Sequence, residues 1–268
     1  MKTRIISGLC MAPLLVVIFF GGWLLKIFAL AVTIPALYEF FEVHKKDNVF
    51  ASFPIAAACT ILLYAINVTK LDPVYYVLWL GVCVLACVIY LFNVDNRIIE
   101  DSTLTLFGIV YIAFCMFHLA WIVDLGDYSK FAWIVVITAF VTDIAAYFTG
   151  YFLGEKVKIF GNGKLCPKIS PKKTYIGSIG GIIASAGVSV LFGIFFTDGL
   201  WVHCLILGVI GSIAGQIGDL LASIFKRKVD VKDYGNLIPG HGGIMDRIDS
   251  LLFTAPVVFW YVYIVLMK

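Results

Sequence analysis

Residues 223 to 249 read Ser223-Ile-Phe-Lys-Arg-Lys-Val-Asp-Val-Lys-Asp-Tyr-Gly-Asn-Leu-Ile-Pro-Gly-His-Gly-Gly-Ile-Met-Asp-Arg-Ile-Asp249, a charged stretch between two long apolar runs, Leu200–Phe225 and Ile244–Met267. It holds five basic residues and four aspartates. Charge is expensive near lipid, so charge gathered between two membrane-length runs marks a functional site. Turn formers punctuate the stretch at Gly235, Pro239, Gly240, Gly242 and Gly243. Glycine lets a backbone approach a ligand closely, and its exposed N–H groups can cradle phosphate oxygens.

Outward from this stretch the chain is apolar. Of its 268 residues 62% are hydrophobic and 14% charged, against about 25% charged in soluble domains. Run after run approaches the roughly 20 apolar residues that a spanning helix needs. The expectation is an all-α, polytopic integral membrane protein rather than a soluble one with an outsized core. Nine apolar segments are expected: Ile5–Phe20, Leu24–Phe41, Phe53–Val68, Val74–Phe92, Leu104–Val123, Phe131–Phe152, Tyr175–Phe196, Leu200–Phe225 and Ile244–Met267. The first and third are short, and a Gly-Gly turn alone separates the first two. The N-terminus looks like a signal peptide but lacks a small-x-small cleavage site before Gly21, so a retained first span is expected. The seven cysteines form no CxxC pair and read as small hydrophobes. A net charge of +3 is too small to argue for a nucleic-acid partner.

Lysine and arginine set orientation. With the N-terminus in the cytosol and nine spans, only Lys26, Lys70, Lys130 and Lys268 of the 20 basic residues fall on the far side. That orientation puts two long loops, 154–174 and 227–243, on the cytosolic face. The textures of the two halves differ. Residues 1–125 are bulky and nearly free of intramembrane charge, which suits a scaffold or oligomer interface. The exception, Glu39, has Glu42 and His44 close by and is expected at the membrane interface. Residues 126–268 carry intramembrane carboxylates and small residues at four-residue spacing, Gly177/Gly181 and Gly211/Gly215, which allow close helix packing. The chemistry is expected there.

In the eighth segment Gln216, Asp219, Ser223, Lys226 and Arg227 share one helix face. Pairing of Asp219 with Lys226 or Arg227 for packing alone, or snorkelling of the two cations, is the plainer reading. Asp246 and Asp249 share a face at the start of the ninth segment, where the helix dipole also favours acids. Carboxylates converging in a basic setting suggest a divalent metal and a phosphate substrate. Asp143, four residues before Tyr147, lines a cavity or makes a helix–helix hydrogen bond. The lysines of loop 154–174, ending in Lys172 and Lys173, form either a topology patch or a site for an anionic lipid or nucleotide. His241 suits a hydrogen-bonding loop role better than ligation of a hard cation. Walker, GxSxG and HExxH patterns are absent.

The stretch from Ser223 to Asp249 resembles the signature of the phosphatidate cytidylyltransferase (CDP-diacylglycerol synthase) family: Ser-x-apolar-Lys-Arg, then Lys-Asp-x-Gly, then Leu/Ile-Pro-x-His-Gly-Gly-x-x-Asp-Arg-x-Asp. The likeness extends upstream through Gly218-Asp219-Leu220, Ser170-Pro-Lys-Lys-Thr174 and the Asp143 helix. Two places depart from the family pattern. Its Asp-Thr/Ser-Gly-Ala-Tyr is here Asp143-Ile144-Ala145-Ala146-Tyr147, and its Trp followed by Glu or Gln is here Tyr175-Ile176.

The resemblance implies that CTP and phosphatidate give CDP-diacylglycerol and pyrophosphate. It implies Mg2+ held by Asp219 and Asp246, with a second cation left open. Lys226, Arg227, Lys232 and Arg247 would clamp phosphate oxygens, and Gly242 and Gly243 would supply backbone N–H groups. Ser223, Lys172, Lys173, Asp143, Asp233, His241 and Asp249 complete the implied substrate site. The expected partners are membrane lipids and no nucleic acid, with a homodimer left open. The implied location is a prokaryotic cytoplasmic membrane, with the site facing the cytosol. Two other classes compete: a transporter using Asp143 and Asp219 as proton or cation sites, and a non-catalytic lipid-binding scaffold. Against the transporter, the charges gather on one face rather than along a crossing path.

Overall fold

The computed structural model describes residues 17, 19–154, 156, 157, 163–237 and 242–268. The expected first segment, Ile5–Phe20, lies almost wholly outside them. The described chain is mostly helical, and six of its helices are long and apolar enough to cross a membrane. It divides into two compact units: the described part of Met1–Trp121 with Lys228–Arg247, and Ile122–Arg227 with Ile248–Lys268.

In the first unit, α1 (Gly22–His44) runs into a 3-10 turn at Lys45–Asp47, closed by Asn48 in the left-handed region at φ 59. Helix α2 (Phe53–Val68) starts at Ser52, whose hydroxyl accepts from the Ile55 N–H at 3.5 Å. Proline in its first turn fits, because that N–H has no intrahelical partner. Helix α3 (Val74–Tyr90) buries only Trp79, Cys83 and Cys87. These are four apart and form a single stripe. The rest of α3 is apolar and bare, with Val77 71% exposed. Such a surface suits hydrocarbon as its solvent rather than water. At 16 and 17 residues, α2 and α3 are only about 25 Å long. That is somewhat short of the roughly 30 Å hydrocarbon core.

Helix α4 (Ile99–Gly108) continues through a π-helical turn (Ile109–Phe114) into α5 (Cys115–Ile122). Asp101 caps its start, accepting from Ile98 N–H at 3.2 Å and tying in Phe50 N–H at 2.6 Å. Gly108 lies against the Phe41 ring of α1, at 2.5 Å from where its Cβ would stand. Any side chain there would have to displace that ring. Phe40, Leu63, Ile112 and Phe117 fill the core between these helices.

In the second unit, α6 (Ala132–Leu153) packs along α7 (Tyr175–Phe196). Added Cβ atoms on Gly177 and Gly181 would meet the α6 carbonyls of Ala146 and Thr142 at 2.7 and 3.0 Å. The small-residue spacing therefore serves close helix approach, as expected. Helix α8 (Trp201–Lys228) and α9 (Met245–Tyr261) follow. Polar pairs stitch the unit: Thr142 to Ser212 at 2.7 Å, and Thr254 to the Gly211 carbonyl at 3.3 Å.

An all-helical reading needs one correction. The lysine-rich loop folds into an antiparallel hairpin, β1 (Lys164–Cys166) paired with β2 (Ser170–Thr174). Pro167 and Pro171 explain it: each lacks the N–H that a helix interior needs. Pro167 fits a tight turn, which the Ile169 N–H to Cys166 carbonyl bond closes at 3.1 Å. Thr174 then N-caps α7, accepting from the Gly177 N–H at 3.1 Å.

Candidate active site

The second unit encloses a cavity of about 880 Å³. Helix α6 supplies Asp143 and Tyr147, α8 supplies Gln216 and Asp219, and the hairpin supplies Lys164, Lys172 and Lys173. Helical spacing puts Gln216 and Asp219 on one wall, and strand β2 adds Lys172 and Lys173 to the lining. Lys173 Nζ reaches Asp219 Oδ2 at 2.5 Å, with both side chains about one-quarter exposed. The pair matters to the site because each charge compensates the other where water is scarce. Gln216 is fixed by Ser178 of α7, whose hydroxyl donates to its Oε1 at 2.5 Å.

Behind the Asp219 wall lies Asp249 of α9, buried, with Asp219, Lys226 and Asp143 as its charged neighbours. Its Oδ1 accepts the Ser250 N–H at 2.8 Å. The Ser250 hydroxyl in turn points at Asp143 Oδ2, 3.5 Å away. Three aspartates from three helices thus gather around two lysines. The α8 face continues outward through half-buried Ser223 and Lys226 to exposed Arg227. Arg227 Nε donates to the Ile169 carbonyl at 3.3 Å, which ties the end of α8 to the hairpin turn.

The remaining signature residues belong to the first unit. Lys232 and Asp233 are exposed, whereas Tyr234 is buried against the Phe40 ring at 6.0 Å. Asp246, half-buried in the first turn of α9, accepts from Tyr234 N–H at 2.8 Å and Gly243 N–H at 3.0 Å through one oxygen. Gly242 has φ +80, and a Cβ there would sit 3.0 Å from Asp246 Oδ2. Both facts require glycine. Arg247 is half-buried, and His241 lies outside the described residues. Among the described residues no group of three or more His, Cys, Asp or Glu is arranged to hold a metal.

Glu39, expected at the membrane interface, is buried within the protein. It is 4% exposed, its Oε2 accepts the Met245 N–H at 2.9 Å, and it lies against Gly235 and Gly243. Its nearness to Glu42 and His44 in sequence suggested a wet helix end. The signal pointing the other way is the apolar company on both sides, Tyr38 and Phe40-Phe41.

A family profile described as "Cytidylyltransferase family" matches residues 2–265. The chain belongs to the cytidylyltransferase family. It is 33% identical over 261 residues to a protein named phosphatidate cytidylyltransferase from Staphylococcus haemolyticus (strain JCSC1435), covering 95% of this chain and 94% of that one. It is 33% identical over 264 residues to a protein of the same name from Staphylococcus saprophyticus subsp. saprophyticus, covering 96% of each. A Bacillus subtilis (strain 168) protein, also named phosphatidate cytidylyltransferase, is 37% identical over 153 residues, 56% of this chain and 54% of that one. The cavity wall and the glycine-rich stretch of this cytidylyltransferase both fall inside the matched residues.

Proposed function

We propose that this protein transfers the cytidylyl group of CTP to phosphatidate, giving CDP-diacylglycerol and pyrophosphate. The observation that carries the reading is similarity over nearly the whole chain to proteins named for that reaction. The cavity suits it, because both substrates are polyanions and the hairpin presents lysines at its edge. A phosphate oxygen of phosphatidate would attack the α-phosphorus of CTP, and the bond from that phosphorus to the pyrophosphate oxygen would break. Lys172 and Lys173 would bind phosphate oxygens, with an arriving polyphosphate competing with Asp219 for Lys173. Lys226, Arg227, Lys232 and Arg247 would share the phosphate charge, and the glycine-rich turn would offer the Gly242 N–H, while the Gly243 N–H stays on Asp246 Oδ2. Ser223, Asp143, Asp233 and His241 would orient the substrates, and Asp249 would act on them through its neighbours Asp219 and Asp143. Exposed Tyr147, Tyr151 and Phe152 at the cavity edge would face the acyl chains of a lipid arriving sideways from the bilayer.

Mg2+ is the metal this reading assigns, held by Asp219 and Asp246. Their hard, partly buried carboxylate oxygens fit it. Bound there, it would neutralise the phosphates and the departing pyrophosphate. A second cation belongs to the same proposal.

The proposal also covers topology: nine spans, a cytosolic N-terminus, and a site facing the cytosol of a prokaryotic cytoplasmic membrane. Residues 1–125 would act as scaffold or homodimer interface, and 126–268 as the catalytic part. Proteoliposomes holding the purified protein test the reaction class. Pyrophosphate release that needs both CTP and phosphatidate supports transfer. Solute uptake without CTP consumption supports a transporter instead, and phosphatidate binding without pyrophosphate supports a scaffold.

A further inference from the structure

Glu39 sits on α1, a helix that contributes none of the residues assigned above. A carboxylate that is 4% exposed needs hydrogen bonds to offset lost hydration. It finds one 206 residues away, where its Oε2 accepts the Met245 N–H at 2.9 Å. Met245 opens α9. The first N–H groups of a helix have no partner within it, and the positive end of the helix dipole favours an acceptor. The carboxylate also occupies the space that two glycines leave. A Cβ on either Gly235 or Gly243 would collide with it. Its Oε1, in contrast, has no hydrogen-bond partner among the described residues.

Asp246 follows Met245 directly. Its own carboxylate is tied back to the Gly243 and Tyr234 N–H groups. The four residues from Gly243 to Asp246 are thus held from two sides. Glu39 grips the backbone at Met245, and Asp246 grips the loop on either flank. We infer that Glu39 is a positioning residue for the reaction: it fixes the start of α9 and, through it, the direction of the Asp246 carboxylate. The inference rests on the assignment of Asp246 to the reaction. The role needs an acceptor oxygen at the reach of a glutamate, and it does not need the negative charge. The contact rests on reach, one oxygen accepting the Met245 N–H and a side chain seated against Gly235 and Gly243, so an amide should serve.

The test uses full-length protein with Glu39→Gln, Glu39→Asp and Glu39→Ala variants. Glutamine keeps the reach and the acceptor but drops the charge. Aspartate keeps the charge but is one methylene too short. Misplacement on this scale costs about tenfold or more in rate. Glu39→Gln should therefore keep at least about a third of wild-type kcat, while Glu39→Asp and Glu39→Ala lose about tenfold with KM for both substrates within about threefold. Hydrogen exchange over residues 242–250 should quicken in the aspartate and alanine variants but not in the glutamine variant. If alanine prevents folding, the aspartate–glutamine pair still decides. Wild-type kcat in all variants overturns the inference, as does an active Glu39→Asp beside an inactive Glu39→Gln. Asp246→Asn, measured alongside, separates the two claims. Near-normal turnover there removes the underlying assignment, whereas an inactive Asp246→Asn with indifferent Glu39 variants removes the role of Glu39 alone.

Discussion

Lys173 is the residue through which the lysine-rich hairpin enters the site, because its ammonium lies on the carboxylate of Asp219. A lysine kept only to set topology would have no need of that partner. Replacing Lys172 and Lys173 together by Gln should raise KM for CTP or phosphatidate by about tenfold, since each charge-assisted contact to a phosphate is a strong hydrogen bond. Steady-state kinetics on the purified double variant checks this, and unchanged KM values would leave both lysines as topology determinants. Asp219→Asn and Asp246→Asn preserve size while weakening a hard-cation site. Each should lose about a hundredfold or more in kcat while the protein inserts and purifies normally. Wild-type activity should vanish with excess chelator and return with Mg2+ or Mn2+, and full activity in chelator would rule out the metal role. Asp249→Asn should be milder in kcat, because this buried group touches its neighbours behind the cavity wall rather than lining it.

At the scale of elements, the contact between α6 and α7 holds one wall of the cavity in place. Gly177→Ala forces a methyl within 2.7 Å of the Ala146 carbonyl. The change should destabilise the second unit by about 1–3 kcal/mol, as overpacking does. Thermal unfolding in detergent would measure it, and an unshifted transition would mean that the helices part easily. This contact was legible in the sequence, because four-residue glycine spacing has few other uses. The later spans were legible for the same reason: long apolar runs have one solution in lipid. The hairpin was less so, since its lysines read only as a charge run, a topology patch or an anion site. Glu39 was hidden because its partner is a backbone N–H 206 residues away, and no local pattern records such a contact. The aspartates of α6, α8 and α9 stood out as charges inside apolar runs, but their gathering around Lys173 and Lys226 depends on tertiary packing.

For the whole molecule, the asymmetry of lysine and arginine bears on topology. Nine spans with a cytosolic N-terminus put Lys268 outside, so a reporter active only in the cytosol should be silent when fused after it. An active reporter would mean an even number of crossings. On the proposed topology the two long loops would face the side where CTP is found, with phosphatidate arriving from within the bilayer. The transferring group is what distinguishes cytidylyl transfer from transport or lipid binding. The direct measurement supplies CTP labelled at its α-phosphorus, with phosphatidate and Mg2+, to the purified protein and follows the label. The account predicts that the label moves into a lipid-soluble product in step with release of unlabelled pyrophosphate, and that Asp219→Asn abolishes both. Label that stays in the aqueous phase with an intact, phosphatidate-supplied protein would contradict it.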